Sequence, residues 1–172
     1  MMTKSLVAGA LTVLLASFGA NAANQGQGVV NFKGTVIDAP CSIAPESADQ
    51  TIDFGQISKA QLANGGTSIQ KNVDIKLTQC DPAALTKGVA VTFTGNTATG
   101  QASELATTGA TNTAIVLNGY GSDITFGTAS DHVKLGAGDN TLRFTSWVKQ
   151  ATGKTVAEGD FTAIANFNLS YE

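Results

Sequence analysis

The sequence predicts an all-β chain, an immunoglobulin-like sandwich, on three observations. Apolar and polar residues alternate with a period of two in stretch after stretch, and no apolar period of 3.6 residues persists. The alternating stretches are separated by clusters of Gly, Asn, Asp and Thr such as "ANGG", "TGNTATGQAS" and "GAGDN", which is turn chemistry. Two cysteines in a chain with an export signal add a disulfide, a frequent staple of secreted domains.

In chain order, the export signal comes first. Lys4 precedes the apolar run "LVAGALTVLLASF", and "GANAA" places Ala20 and Ala22 at the small-residue positions of a cleavage site. The run falls short of the roughly 20 apolar residues a membrane span needs. Residues 1–22 therefore read as a signal peptide, and residues 23–172 as one domain-sized mature chain with an N-terminal extension.

The extension, residues 23–36, is polar and Gly-rich at first and then alternates. Gly28, Val30, Phe32, Gly34 and Val36 fall on one face, and Val29, Asn31, Lys33 and Thr35 on the other. Its early residues have little to anchor them, so it reads as a detachable strand. Further strand candidates are "GVVNFKGTVI" as a whole, "TIDFG", "NVDIKLTQC", "GVAVTFTG", "TAIVLNG" and "NTLRFTSWVKQ". A helical turn is expected within "QISKAQLANGG", and a long surface loop from Thr94 to Thr113.

The last twelve residues, "FTAIANFNLSYE", alternate to the end of the chain. Phe161, Ala163, Ala165, Phe167, Leu169 and Tyr171 share one face, and only Ile164 breaks the polar side opposite. Termini are usually frayed and polar, so an apolar strand here requires a cover. Ile164 predicts that the cover reaches both faces.

The inventory of reactive groups is thin. His132 is the only imidazole, no G-x-S-x-G elbow occurs, and the carboxylates are scattered singly across turns. Neither catalysis nor a cofactor nor a small-molecule substrate is expected. Two thiols and one imidazole make a poor metal set, so Cys41 and Cys80 read as a disulfide. After removal of the signal, nine Lys and Arg face thirteen Asp and Glu without a basic cluster, which argues against a nucleic-acid partner. The sequon Asn168-Leu169-Ser170 lies in a strand and reads as coincidence. Trp147 reads as packing in or beside the core.

An unfinished sandwich would expose an apolar groove with unpaired backbone groups along its last strand. Such an edge invites aggregation unless another chain supplies the missing strand. Both ends of this sequence suit that arrangement, one as donor and the other as acceptor. An ordinary, complete sandwich that binds its ligand as a monomer is the competing reading.

At these ends the sequence resembles the pilus subunits of chaperone-usher fimbriae. The resembling pieces are "QGQGVVNFKGTVIDAPCSI", "SADQTIDFGQISK", "LTQCD", "ELATTGATNTAIV" and "FTAIANFNLSYE", with Tyr171 as the penultimate aromatic and Gly159 as the glycine fourteen places from the end. The resemblance implies a six-stranded immunoglobulin-like domain, residues 37–172, whose seventh strand comes in trans from the extension of an identical or related subunit. It implies Gly28, Val30, Phe32, Gly34 and Val36 as donor residues. It also implies Gly159, Phe161, Ala163, Ala165, Phe167, Leu169, Tyr171 and Glu172 as the acceptor groove and chaperone-binding strand. A Cys41–Cys80 disulfide, a periplasmic chaperone and an outer-membrane usher belong to the same expectation. So do export through the periplasm and a head-to-tail fibre on the cell surface that supports adhesion. Within the family, a minor adaptor or a rod terminator remains an alternative to the rod-building subunit.

Overall fold

A computed structural model describes residues 28–172 of the 172-residue chain; the signal peptide and residues 23–27 of the extension lie outside the described residues. The chain divides into two units at Val36 and Ile37.

The described part of the first unit, residues 28–36, forms neither helix nor paired strand, and its side chains are exposed. Phe32 is 91% and Val30 74% exposed. The alternation expected to make a strand is present, but the backbone has no ladder partner.

In the second unit the strands are β1 (Ser42–Ile43), β2 (Lys71–Cys80), β3 (Val89–Gly95), β4 (Thr97–Ala98), β5 (Gln101–Ala106), β6 (Thr113–Gly119), β7 (Ser122–Asp123), β8 (Gly138–Gln150) and β9 (Ala165–Tyr171). Among the described residues they form two sheets. The larger runs β1-β2-β8-β6-β5-β4, with β7 folded against β6, and the smaller is β3 paired with β9. All ladders are antiparallel. β2 pairs with β8 from Lys71↔Ser146 to Leu77↔Asn140, then shifts register before Cys80↔Gly138, where Gln79 takes a positive φ of 52°. Cys80 is thereby brought to Cys41, and the two form a disulfide.

Among the described residues, two short α-helices, the second followed by a 3-10 turn at Ala63–Gly65, interrupt the β pattern. Pro45, whose ring presets φ for a first turn, opens α1 (Pro45–Ala48). Its buried Ser47 accepts the N–H of Lys76 at 2.9 Å and donates to the Asp74 carbonyl at 3.3 Å. That hydroxyl satisfies the edge of β2 where β1 has ended. The helical turn expected near Lys59 is present as α2 (Lys59–Leu62).

The core lies between the sheets. Ile75, Leu77, Leu142 and Phe144 of the larger sheet meet Val89, Val91 and Phe93 of β3, all buried. Phe93 and Phe144 stack edge to face at 4.9 Å with their planes 83° apart, a favoured aromatic geometry. Trp147 is half-buried on β8.

Several expectations need correction. "TIDFG" forms no strand: the Asp53 carboxylate accepts the N–H of Gly55 at 2.7 Å, and Gly55 adopts φ 63°, so an Asx turn breaks the extended run. The stretch Thr94–Thr113 is not one open loop, because it contains β4 and β5, with Glu104 and Leu105 buried. The last strand is laddered only from Ala165, since β3 runs out at Gly95, the partner of Ala165. In the subunit by itself Ile164 is 77% exposed.

Candidate functional site

The two members of the smaller sheet are buried very differently. Along β3, Val89, Ala90, Val91 and Phe93 are all buried. On β9 the residues facing the core, Phe167, Leu169 and Tyr171, are only half-buried, and Ala165 is exposed. Phe167 does reach Phe93, with ring centroids 6.3 Å apart. The core therefore thins toward β9. Among the described residues no strand covers its far edge.

Upstream of β9 the same face continues through half-buried Phe161 and Ala163, of which Phe161 packs with Leu62, Val148 and Val156. There the surface opens into a cleft of about 720 Å³ whose walls include Phe54, Ile57, Leu62, Val156, Gly159 and Phe161. Asp53, Lys59, Glu158 and Asp160 also line it. Gly159 has φ 142°, a conformation that L side chains rarely adopt. Its lack of a side chain leaves this part of the wall open.

The other end of β9 is clasped. The main-chain oxygen of Glu172 accepts the N–H groups of Lys87 and Gly88 at 2.8 and 2.9 Å, and its own N–H donates to the Gly88 carbonyl at 3.0 Å. The Glu172 carboxylate lies 2.6 Å from Lys87 Nζ and 3.7 Å from His132 Nε2. The hydrogen bond and charge of Lys87, with His132 beside it, hold that carboxyl below the ordinary range. Burial raises the Tyr171 phenol above its usual value, so the ring stays neutral at physiological pH.

The expected acceptor residues Gly159, Phe161, Ala163, Ala165, Phe167, Leu169, Tyr171 and Glu172 thus follow one another along a single segment, clasped at one end and open at the cleft. The expected donor residues, described by themselves, are exposed along residues 28–36. Sequence reasoning missed the opposite wall at Phe54, Ile57 and Leu62. Of these only Phe54 lies in an alternating stretch, "TIDFG", so the available signal was partial. It also missed the clasp, which joins Glu172 to residues forty to eighty-five positions away and leaves no local pattern.

Geometrically this is a site for strand addition: unpaired backbone groups beside half-buried apolar side chains. Comparison with known proteins identifies the family of the chain. The "Fimbrial protein" family model matches residues 30–172. The Pap fimbrial major pilin protein of Escherichia coli is 47% identical over 185 residues, covering 99% of this chain and all of the relative. Fimbria A protein of Serratia marcescens is 47% identical over 156 residues, 89% of each chain. The crystal structure of the P pilus rod subunit PapA superposes with a TM-score of 0.74 at 45% identity, over 78% of this chain and all of that one. A chain from the structure of a chaperone-usher pilus gives 0.81 at 47% identity, over 86% and 97%.

Proposed function

The chain belongs to the fimbrial protein family, and on that premise we propose that it is the repeating structural subunit of a chaperone-usher rod, joined to its neighbours by donated strands. Its immunoglobulin-like sandwich is incomplete, and it is exported to become part of a surface fimbria. In the proposed joint, residues 28–36 of one subunit add to the open edge of β9 of the next. The observation that carries the reading is the half-burial of Phe167, Leu169 and Tyr171 beside an unpaired edge, in a domain whose β3 is buried.

Completing an immunoglobulin-like sandwich calls for an antiparallel strand. An arm running antiparallel to β9 brings its C-terminal end, Val36, toward the cleft beside Gly159 and its N-terminal end toward Tyr171. Burying Val30, Phe32 and Val36 at about 1.5–3 kcal/mol each supplies several kcal/mol before sheet hydrogen bonds are counted. Each subunit gives through one surface and receives through another, so the contact is head to tail and propagates as a filament. Dissociation requires stripping a whole strand, which makes the joint kinetically durable.

Before assembly the same edge needs a temporary cover. A periplasmic chaperone strand fills that role in our reading, with β9 and Glu172 as its contact, and exchange for the arm of the next subunit takes place at an outer-membrane usher. Exchange runs downhill when the arriving strand fits the groove better than the one it replaces, without nucleotide hydrolysis. The high identity to major pilins over the whole chain favours a rod subunit over an adaptor or terminator. The assembled fibre supports adhesion by carrying its tip away from the cell.

The test uses the mature chain, residues 23–172, alone and with a synthetic peptide of residues 23–36. The chain alone is expected to aggregate or melt at low temperature, and the peptide to raise its melting temperature strongly. A chain that is stable by itself and indifferent to the peptide would overturn the proposal.

A further inference from the structure

The reading of the arm as the added strand leaves open which arm residue meets which groove residue, and the inference here rests on that reading. The backbone directions along β9 narrow the choice. Thr162 O accepts the N–H of Thr108 at 2.7 Å, and Glu172 exchanges bonds with Gly88. Even-numbered residues therefore aim their backbone groups away from the open edge, at Gly88 before β3 and at Thr108 after β5. By strand alternation, odd-numbered residues, whose side chains face the groove, aim theirs at the open edge. An antiparallel arm with its even-numbered face inward must set even arm residues opposite odd β9 residues. The allowed registers differ by steps of two.

Side-chain volume separates them. In one register Val36 lies opposite Gly159, Gly34 opposite Phe161, Phe32 opposite Ala163, Val30 opposite Ala165 and Gly28 opposite Phe167. Every large side chain then faces a small one, and Gly34 and Gly28 both face phenylalanines. Sliding the arm two residues one way sets Phe32 against Phe161 and Gly34 against Gly159, a clash beside a void. Sliding it two the other way sets Val36 against Phe161 and Val30 against Phe167, while Gly34 faces Ala163.

The outer face agrees with this choice. The same register sets Lys33 opposite Thr162 and Asn31 opposite Ile164, with Val29 and Lys33 diagonal to Ile164. Diagonal neighbours on paired strands stand about 7–8 Å apart, within reach of long side chains. Ile164, 77% exposed, and Val29, 85% exposed, then shield one another under the Lys33 stem. The Lys33 ammonium comes within reach of exposed Asp160, its other diagonal neighbour.

We propose that the arm of a second copy locks in this register, with the Gly34–Phe161 and Phe32–Ala163 pairs on the inner face and Lys33 between Asp160 and Ile164 on the outer face acting as its specificity determinants. Outer-face partners opposite one another form non-hydrogen-bonded pairs, whose Cα atoms stand about 4.5 Å apart, inside the range that a disulfide spans.

The experiment oxidises a peptide of residues 23–36 carrying Lys33→Cys with mature chains carrying Thr162→Cys, Ile164→Cys or Asp160→Cys, and weighs the covalent adduct by mass spectrometry. The melting temperature of each mixture under reducing conditions is recorded in parallel. The proposal expects stabilisation of all three chains, and about ten-fold more adduct from Thr162→Cys than from either neighbour. Adduct chiefly at Ile164→Cys or Asp160→Cys, or at none of the three despite stabilisation, overturns the register and leaves strand donation standing. Absence of stabilisation in all three, and in the unsubstituted chain, overturns donation itself.

Discussion

The carboxylate of Glu104 on β5, a residue only 3% exposed, lies 2.6 Å from the ammonium of Lys149 on β8. Its other oxygen accepts the N–H of Thr152 at 3.0 Å, and the Thr152 hydroxyl donates to the same carboxylate. Burial pushes this carboxyl's pKa up, but Lys149 and Thr152 together outweigh it and leave the group below the ordinary range. The folded state thus favours the charged form. Its contribution to stability is complete above the unfolded carboxylate pKa of about 4.3 and is lost as the pH falls through the lower folded value.

The urea midpoint of the peptide-completed subunit should therefore drop as the pH is lowered below about 4.3, and Glu104→Gln should flatten that dependence. Glu104→Ala strands the Lys149 charge and the Thr152 N–H, and should cost about 2–3 kcal/mol at pH 7. An unchanged midpoint in Glu104→Ala would refute the structural role.

Phe32→Asp places an unpaired charge where the arm must enter an apolar groove, which is costly. Because Phe32 is exposed in the subunit itself, the domain should fold and accept a wild-type peptide as before while donating nothing. Electron microscopy of cells expressing only this variant should show no fibres. Fibres of normal length would count against the arm.

At the clasped end, Tyr171→Ala removes a half-buried ring and should cost about 1–2 kcal/mol. Deleting Glu172 should loosen the end of β9 by removing its bonds to Lys87 and Gly88. Both changes should lower the periplasmic level of the subunit, measured by immunoblot against its messenger RNA. They differ from Phe32→Asp, which should leave that level near normal.

Gly88 sits at φ 108°, and a Cβ there would stand 2.0 Å from the Val133 carbonyl oxygen. Both objections apply to backbone that cannot move aside easily. Gly88→Ala should cost about 2–5 kcal/mol, combining backbone strain with overpacking. The loss is measurable as a lower melting temperature of the peptide-completed subunit.

Alternation makes β2, β3, β6 and β8 legible in the sequence to within two residues at each end. It fails where a polar side chain is buried or where the chain turns early. β5 is hidden because Glu104, which reads as a surface residue, points inward to Lys149. "TIDFG" reads as a strand because the Asx turn at Asp53 depends on a single side-chain acceptor. The groove face of β9 is read directly, since Phe167, Leu169 and Tyr171 carry it in sequence. Its second wall and the Lys87–His132–Glu172 clasp are not, because they arise from contacts between distant segments.

The disulfide between Cys41 and Cys80 also determines how a fibre bears tension. Pull on a subunit enters its domain at Ile37 and meets a covalent bridge to the end of β2 only four residues later. The load passes directly into β2, which is paired with β8 over most of its length, instead of peeling away the two-residue β1. A reduced fibre would have β1 as its first link, and should extend under a weaker force than an oxidised one.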